Sequence, residues 1–124
     1  MSENQHQTVP IRVEGVPLDH GALALVMVHG RTLNAAYMRE NVAERLGRVD
    51  LAYVLPEAHE NSWYPESFLR PIEANQPRLD WALERLDDVQ ELLADAGVAD
   101  DRIVWLGFSQ GACLVSEYVA RSTR

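Results

Sequence analysis

The chain has 124 residues, room for one domain and too few for two, since domains commonly run to about 100–200 residues. Hydrophobic residues make up 47% and charged residues 24%, a globular balance that excludes intrinsic disorder. A net charge of −8 argues against nucleic acid and anionic membrane surfaces as partners, because both demand clustered positive charge.

All 11 basic residues are arginine, which fits either codon bias or adaptation to salt. No apolar run approaches the ~20 residues of a membrane span, and the first ten residues carry no secretory pattern. The single cysteine, Cys113, can form no internal disulfide and no CxxC pair. A cytoplasmic location is the resulting expectation.

Residues 1–10 are polar and read as a flexible tail, with a strand candidate at 11–16. Residues 22–28, ALALVMV, are apolar on both faces, as buried parallel strands are, and end at His29-Gly30. Asn34 is placed to cap a helix running to about Leu46, with Gly47 stopping it. A second buried strand at 51–55 leads into 56–77, which holds four prolines and is long enough to suggest a lid or binding loop. Pro77 suits the first turn of a helix, whose Leu79, Leu83, Leu86, Val89, Leu93 and Ala96 recur every three or four residues before Gly97. A third buried strand at 102–106 runs directly into GFSQG and an apolar helix over 112–120. The alternation predicts an α/β fold, with a mostly parallel sheet and helices on both faces.

Gly107-Phe108-Ser109-Gln110-Gly111 matches G-x-S-x-G, in which a serine sits on a strained strand-to-helix turn. Strand and helix pass so close there that side chains at Gly107 or Gly111 would collide, and the serine hydroxyl is pushed into the open. The competing reading is a plain small-residue turn. Val28-His29-Gly30-Arg31-Thr32 ends another predicted strand, where α/β sheets place their crevices and where a glycine turn can aim N–H groups at an oxyanion.

Together these segments resemble the phospholipase/carboxylesterase family of α/β hydrolases, which includes acyl-protein thioesterases. VMVHGR is similar to the family's oxyanion strand and loop, LPEAHENSWYPESF to its proline-bounded aromatic loop, and RIVWLGFSQGACL to its nucleophile strand, elbow and helix. The resemblance implies Ser109 as nucleophile, acting on a small-molecule ester or thioester, with the backbone N–H groups of Arg31 and Gln110 as oxyanion hole. Thr32 departs from the pattern, since relatives usually carry glycine there.

A larger departure follows Ser109. The family order is serine, acid, histidine, yet no Asp or His occurs after Ser109, only Glu117. The chain therefore reads as the N-terminal portion of a hydrolase, a single incomplete domain over 1–124, inactive on its own. A substitute base at His29 or His59 is the weaker reading, and a non-catalytic binding remnant is the alternative function. Self-association through an unpaired sheet edge is expected.

His29, Trp63, Tyr64 and Phe68 are candidate substrate-binding residues; for the three aromatics the competing reading is that they pack the loop onto the sheet. Cys113 reads as a small buried hydrophobe, and Trp81 and Trp105 as core. His20, His29 and His59 lack metal-ligand spacing, so no metal is expected, and no nucleotide motif or other cofactor signal occurs.

Overall fold

A computed structural model describes residues 3–18 and 22–121; His20 lies outside them. Four strands form one sheet in the order β1-β3-β2-β4: β1 (Arg12–Gly15), β2 (Ala24–Val28), β3 (Ala52–Leu55) and β4 (Ile103–Gly107). β2 pairs in parallel with both β3 and β4, while β1 runs antiparallel to β3 at one edge. The predicted α/β class with a mostly parallel sheet is the observed one. All five residues of β2 are buried, because this central strand is covered on both faces.

On one face, Leu25, Met27, Tyr53 and Leu55 pack against Ala35, Met38 and Ala43. Ala35 and Met38 come from α1 (Ala35–Met38) and Ala43 from a π-helical segment (Arg39–Ala43), which leads on into the short α2 (Glu44–Leu46). Asn34 caps the start by accepting from Tyr37 N–H at 2.8 Å, and Gly47 ends the run at φ +63°. On the other face, Ala24, Val26, Val28 and Val54 meet α3 (Arg78–Asp95) and α4 (Gln110–Arg121). The α3 stripe predicted from sequence is the buried one: Leu79, Leu83, Leu86, Val89 and Leu93 all face the sheet.

Three expectations need correction. The strand expected to be buried over 102–106 is not: no residue of β4 is fully buried and Val104 is exposed, because among the described residues β4 lies at the sheet edge with only β2 beside it. The polar N-terminal segment is not a loose tail: Gln5–Thr8 forms a 3-10 turn, and His6 is fully buried. Asn4 Nδ2 donates to the Trp81 carbonyl at 2.8 Å and to Glu84, tying the segment to α3 by hydrogen bonds rather than by apolar burial. Cys113 is exposed, because the buried face of α4 is formed by Gln110, Gly111, Leu114 and Val115. Trp105 does pack against the core, with Tyr118 at 5.2 Å between ring centroids, and Trp81 is half-buried. No helix among the described residues is long and apolar enough to cross a membrane.

Candidate active site

The turn between β4 and α4 has the geometry that G-x-S-x-G requires. Ser109 adopts φ +57°, a left-handed conformation that L-residues enter at a cost, and its side chain is exposed. A β-carbon on Gly107 would lie 2.4 Å from the Gly111 carbonyl oxygen, so that position tolerates only hydrogen.

The β2 loop closes on the same point. A β-carbon on Gly30 would lie 2.9 Å from the Phe108 carbonyl oxygen and 3.2 Å from Ser109 Cβ, which brings residues 30–31 against the elbow. Leu33 N–H closes a turn on the Gly30 carbonyl at 3.1 Å. Thr32 occupies its third position at φ +67°, where glycine is favoured, and holds it by donating its N–H to the Asn61 carbonyl at 2.8 Å. The turn's closing bond leaves the Arg31 N–H outside it. Gln110 opens α4, so its N–H is among those a helix leaves without an intrahelical acceptor.

An open cleft of about 540 Å³ lies in front of Ser109, lined by Arg31, Tyr64, Phe68, Leu69, Gln110 and Cys113 together with Glu66 and Ser67. Tyr64 borders the cleft, though with only 1% of its surface exposed and its hydroxyl 3.4 Å from the Gln110 carbonyl; Phe68 is thus where a pocket wall was expected. His29 and Trp63 are not: both are fully buried behind the cleft. Their rings stack at 5.1 Å, and Trp63 Nε1–H donates to the His29 carbonyl at 2.9 Å. Both nitrogens of His29 are engaged, Nδ1–H donating to the Gly30 carbonyl at 2.8 Å and Nε2 accepting from Ala58 N–H at 3.0 Å. Burial holds its pKa below the ordinary value, so it stays neutral with a fixed tautomer. His59, whose Nε2 lies 3.2 Å from Glu60, does not line the cleft either.

The long loop behind this wall contains 3-10 turns at His59–Asn61 and Ile72–Asn75, and its backbone is paired largely by side chains from other parts of the chain. His6 Nδ1 accepts from His59 N–H at 3.0 Å, and its Nε2–H donates to the Trp63 carbonyl at 2.8 Å. Arg78 donates to the carbonyls of His59 and Ser62. The Arg31 guanidinium donates to those of Pro65 and Glu66 at 2.7 and 3.0 Å, with a longer contact to Tyr64. Asn75 Oδ1 accepts from Glu66 N–H at 2.6 Å. Gln110 completes the set: its Oε1 accepts from Trp63 N–H at 2.9 Å and its Nε2–H donates to the Tyr64 carbonyl at 2.8 Å. Buried backbone polar groups are costly when unpaired, so these bonds set the shape of the cleft wall.

A crystal structure of a phospholipase/carboxylesterase from Dyadobacter fermentans DSM 18053 matches the chain with a TM-score of 0.86 at 40% sequence identity. The fold is that of the N-terminal part of a phospholipase/carboxylesterase, an α/β hydrolase. The match covers 92% of this chain and 54% of that one, so the chain spans about half the length of its hydrolase relative. No protein-family model matches the chain, and no curated protein matches it. Within this hydrolase fold the β4–α4 elbow, the β2 loop and the side-chain-bound loop meet at Ser109.

Proposed function

We propose that the chain carries the nucleophile half of a serine hydrolase acting on carboxylic esters or thioesters. Ser109 Oγ attacks the substrate carbonyl, the N–H groups of Gln110 and Arg31 receive the developing oxyanion, and collapse of the tetrahedral adduct breaks the C–O or C–S bond, releasing the alcohol or thiol and leaving an acyl-enzyme. The observation that carries this reading is Ser109 itself: an exposed serine at φ +57°, between a sheet strand and a helix, facing a cleft. Phe68, backed edge-on by the buried Tyr64 ring at 5.7 Å, forms an apolar wall for the acyl or leaving group. The single, unpaired cysteine supports a reducing, cytoplasmic setting.

The attacking serine needs a base to take its proton. Among these 124 residues no Asp or His follows Ser109, and neither His29 nor His59 lines the cleft. This favours the second reading for the isolated polypeptide, a cleft that binds esters without turning them over. Removal of a triad histidine costs about 10⁶ in kcat in subtilisin, and a deficit of that order is expected here.

The test is hydrolysis of p-nitrophenyl acetate by the 124-residue chain and by Ser109→Ala. Rates barely above buffer for both are expected from the isolated chain. Turnover at ordinary esterase rates, unchanged in Ser109→Ala, would remove Ser109 from the chemistry. Ordinary rates abolished by that substitution would make it a self-sufficient enzyme.

A further inference from the structure

The two segments that present the oxyanion N–H groups are far apart in sequence, and one buried residue touches both. Trp63 donates its backbone N–H to Gln110 Oε1 at 2.9 Å, and its indole N–H to the His29 carbonyl at 2.9 Å, two residues before Arg31. The ring is closed on the far side by Arg31, whose guanidinium holds the carbonyls of Pro65 and Glu66. We propose that Trp63 is a positioning residue, a strut that joins Gln110 to the His29–Arg31 segment and fixes the spacing of the two oxyanion N–H donors. The inference rests on the ester-site reading above.

Each link is one that the surroundings make expensive to lose. Trp63 is fully buried and Gln110 nearly so, so neither Trp63 N–H nor the indole N–H has water as a substitute acceptor. The Trp63 ring is wedged between His6, at 5.2 Å, and His29, at 5.1 Å, which leaves it little rotational freedom. Gln110 follows the strained Ser109 directly, so a movement of Trp63 acts on the residue next to the nucleophile. An oxyanion hole gains its effect from donors held in place before the reaction, and a loose pair loses it.

The experiment uses the 124-residue chain labelled with ¹⁵N, and phenylphosphonate as a tetrahedral anionic probe. Trp63→Phe keeps an aromatic ring between His6 and His29 while deleting the indole donor and part of the ring system, with Trp81→Phe as the control for loss of a tryptophan elsewhere. In the unliganded protein, the backbone amide resonances of both Arg31 and Gln110 are expected to move in Trp63→Phe and to stay in place in Trp81→Phe. In the parent, phenylphosphonate is expected to shift those two amides with a common Kd, and Trp63→Phe to weaken that Kd about tenfold, as befits one lost hydrogen bond.

Should Trp63→Phe not fold, Gln110→Met serves, because its side chain is of similar length but gives Trp63 N–H no comparable acceptor. The same loss of affinity is then expected, with both amides displaced. Amides of Arg31 and Gln110 that stay at their parent positions in both variants, with parent affinity, would overturn the strut. A parent in which phenylphosphonate shifts neither amide, while Trp63→Phe still moves both, would overturn the ester-site reading instead and with it the catalytic meaning of the strut.

Discussion

A β-carbon placed on Gly111 would lie 2.1 Å from the carbonyl oxygen of Val28, so the first turn of α4 rests on the end of β2 with space for hydrogen alone. Gly111→Ala must push helix and strand apart at the elbow. A loss of about 3 kcal/mol is expected, the upper end for overpacking a tight site. Gly47→Ala is the control: its φ is +63° but nothing lies within 4 Å, so only about 1 kcal/mol of backbone strain is at stake. Urea midpoints measure both, and equal losses would mean that the elbow is not rigidly packed.

Acid should weaken the fold through His6. Burial lowers its pKa from 6.5 to about 4, outweighing the opposing hydrogen bond to the Trp63 carbonyl. Between those two values the unfolded chain binds a proton that the folded chain rejects. The contribution of His6 is therefore full above pH 6.5 and is lost as pH falls towards 4, amounting to about 3 kcal/mol at 1.36 kcal/mol per pH unit. Buried His29 acts in the same direction. In urea unfolding at a series of pH values from 7 to 4, His6→Gln should show a shallower fall than the parent. A parallel fall would assign the acid sensitivity to other groups.

Like charges stack along the outer side of α3, where Asp87, Glu91 and Asp95 follow at intervals of four. Several acids of this helix have found partners: Asp88 pairs with Arg85 at 2.9 Å, and Asp87 accepts from Tyr118 at 2.7 Å. Exposed Glu91 repels both neighbours in its row. Glu91→Lys turns two repulsions into two attractions, worth about 1–2 kcal/mol at roughly 0.2–0.5 kcal/mol per pair and sign. The thermal midpoint should rise at low ionic strength, and the gap from the parent should close in 1 M NaCl, where the Debye length is about 3 Å. A gap that survives salt would rule out the charge row as its cause.

Among the described residues β4 is paired on one side only, by β2, and Val104 on it is 46% exposed. Open strand edges carry unpaired N–H and C=O groups that recruit other strands. The isolated polypeptide is expected to self-associate, and Val104→Lys to oppose this. Sedimentation velocity checks it: a single monomer boundary for the parent at tens of micromolar would show the edge to be harmless.

The backbone of the fold was legible because its signals are local. A run such as ALALVMV fits burial on both faces, and the glycines of GFSQG mark a place where strand and helix backbones come within touching distance. The orientation of α4 was legible too, but was misread at Cys113: the spacing of Gly111, Leu114 and Val115 already puts residue 113 on the opposite side. What could not be read was the bonding of the long loop. Its partners are polar and unevenly spaced, and three of them, His6, Arg31 and Gln110, are remote from it in sequence, so no periodicity ties them to the residues they hold. For the same reason His6 looked like part of a tail, and Trp63 like a pocket wall.

The residues that shape the loop over 58–67 are, for the most part, not in it. Insertions or substitutions within its exposed stretches change what the cleft offers without removing the bonds that hold it. Changes at His6, Arg78 or Gln110 leave the loop's own letters intact and take away its form. A mutational survey of this chain would therefore find the loop more permissive than its distant tethers, and new cleft surfaces could be sought by altering the former while sparing the latter.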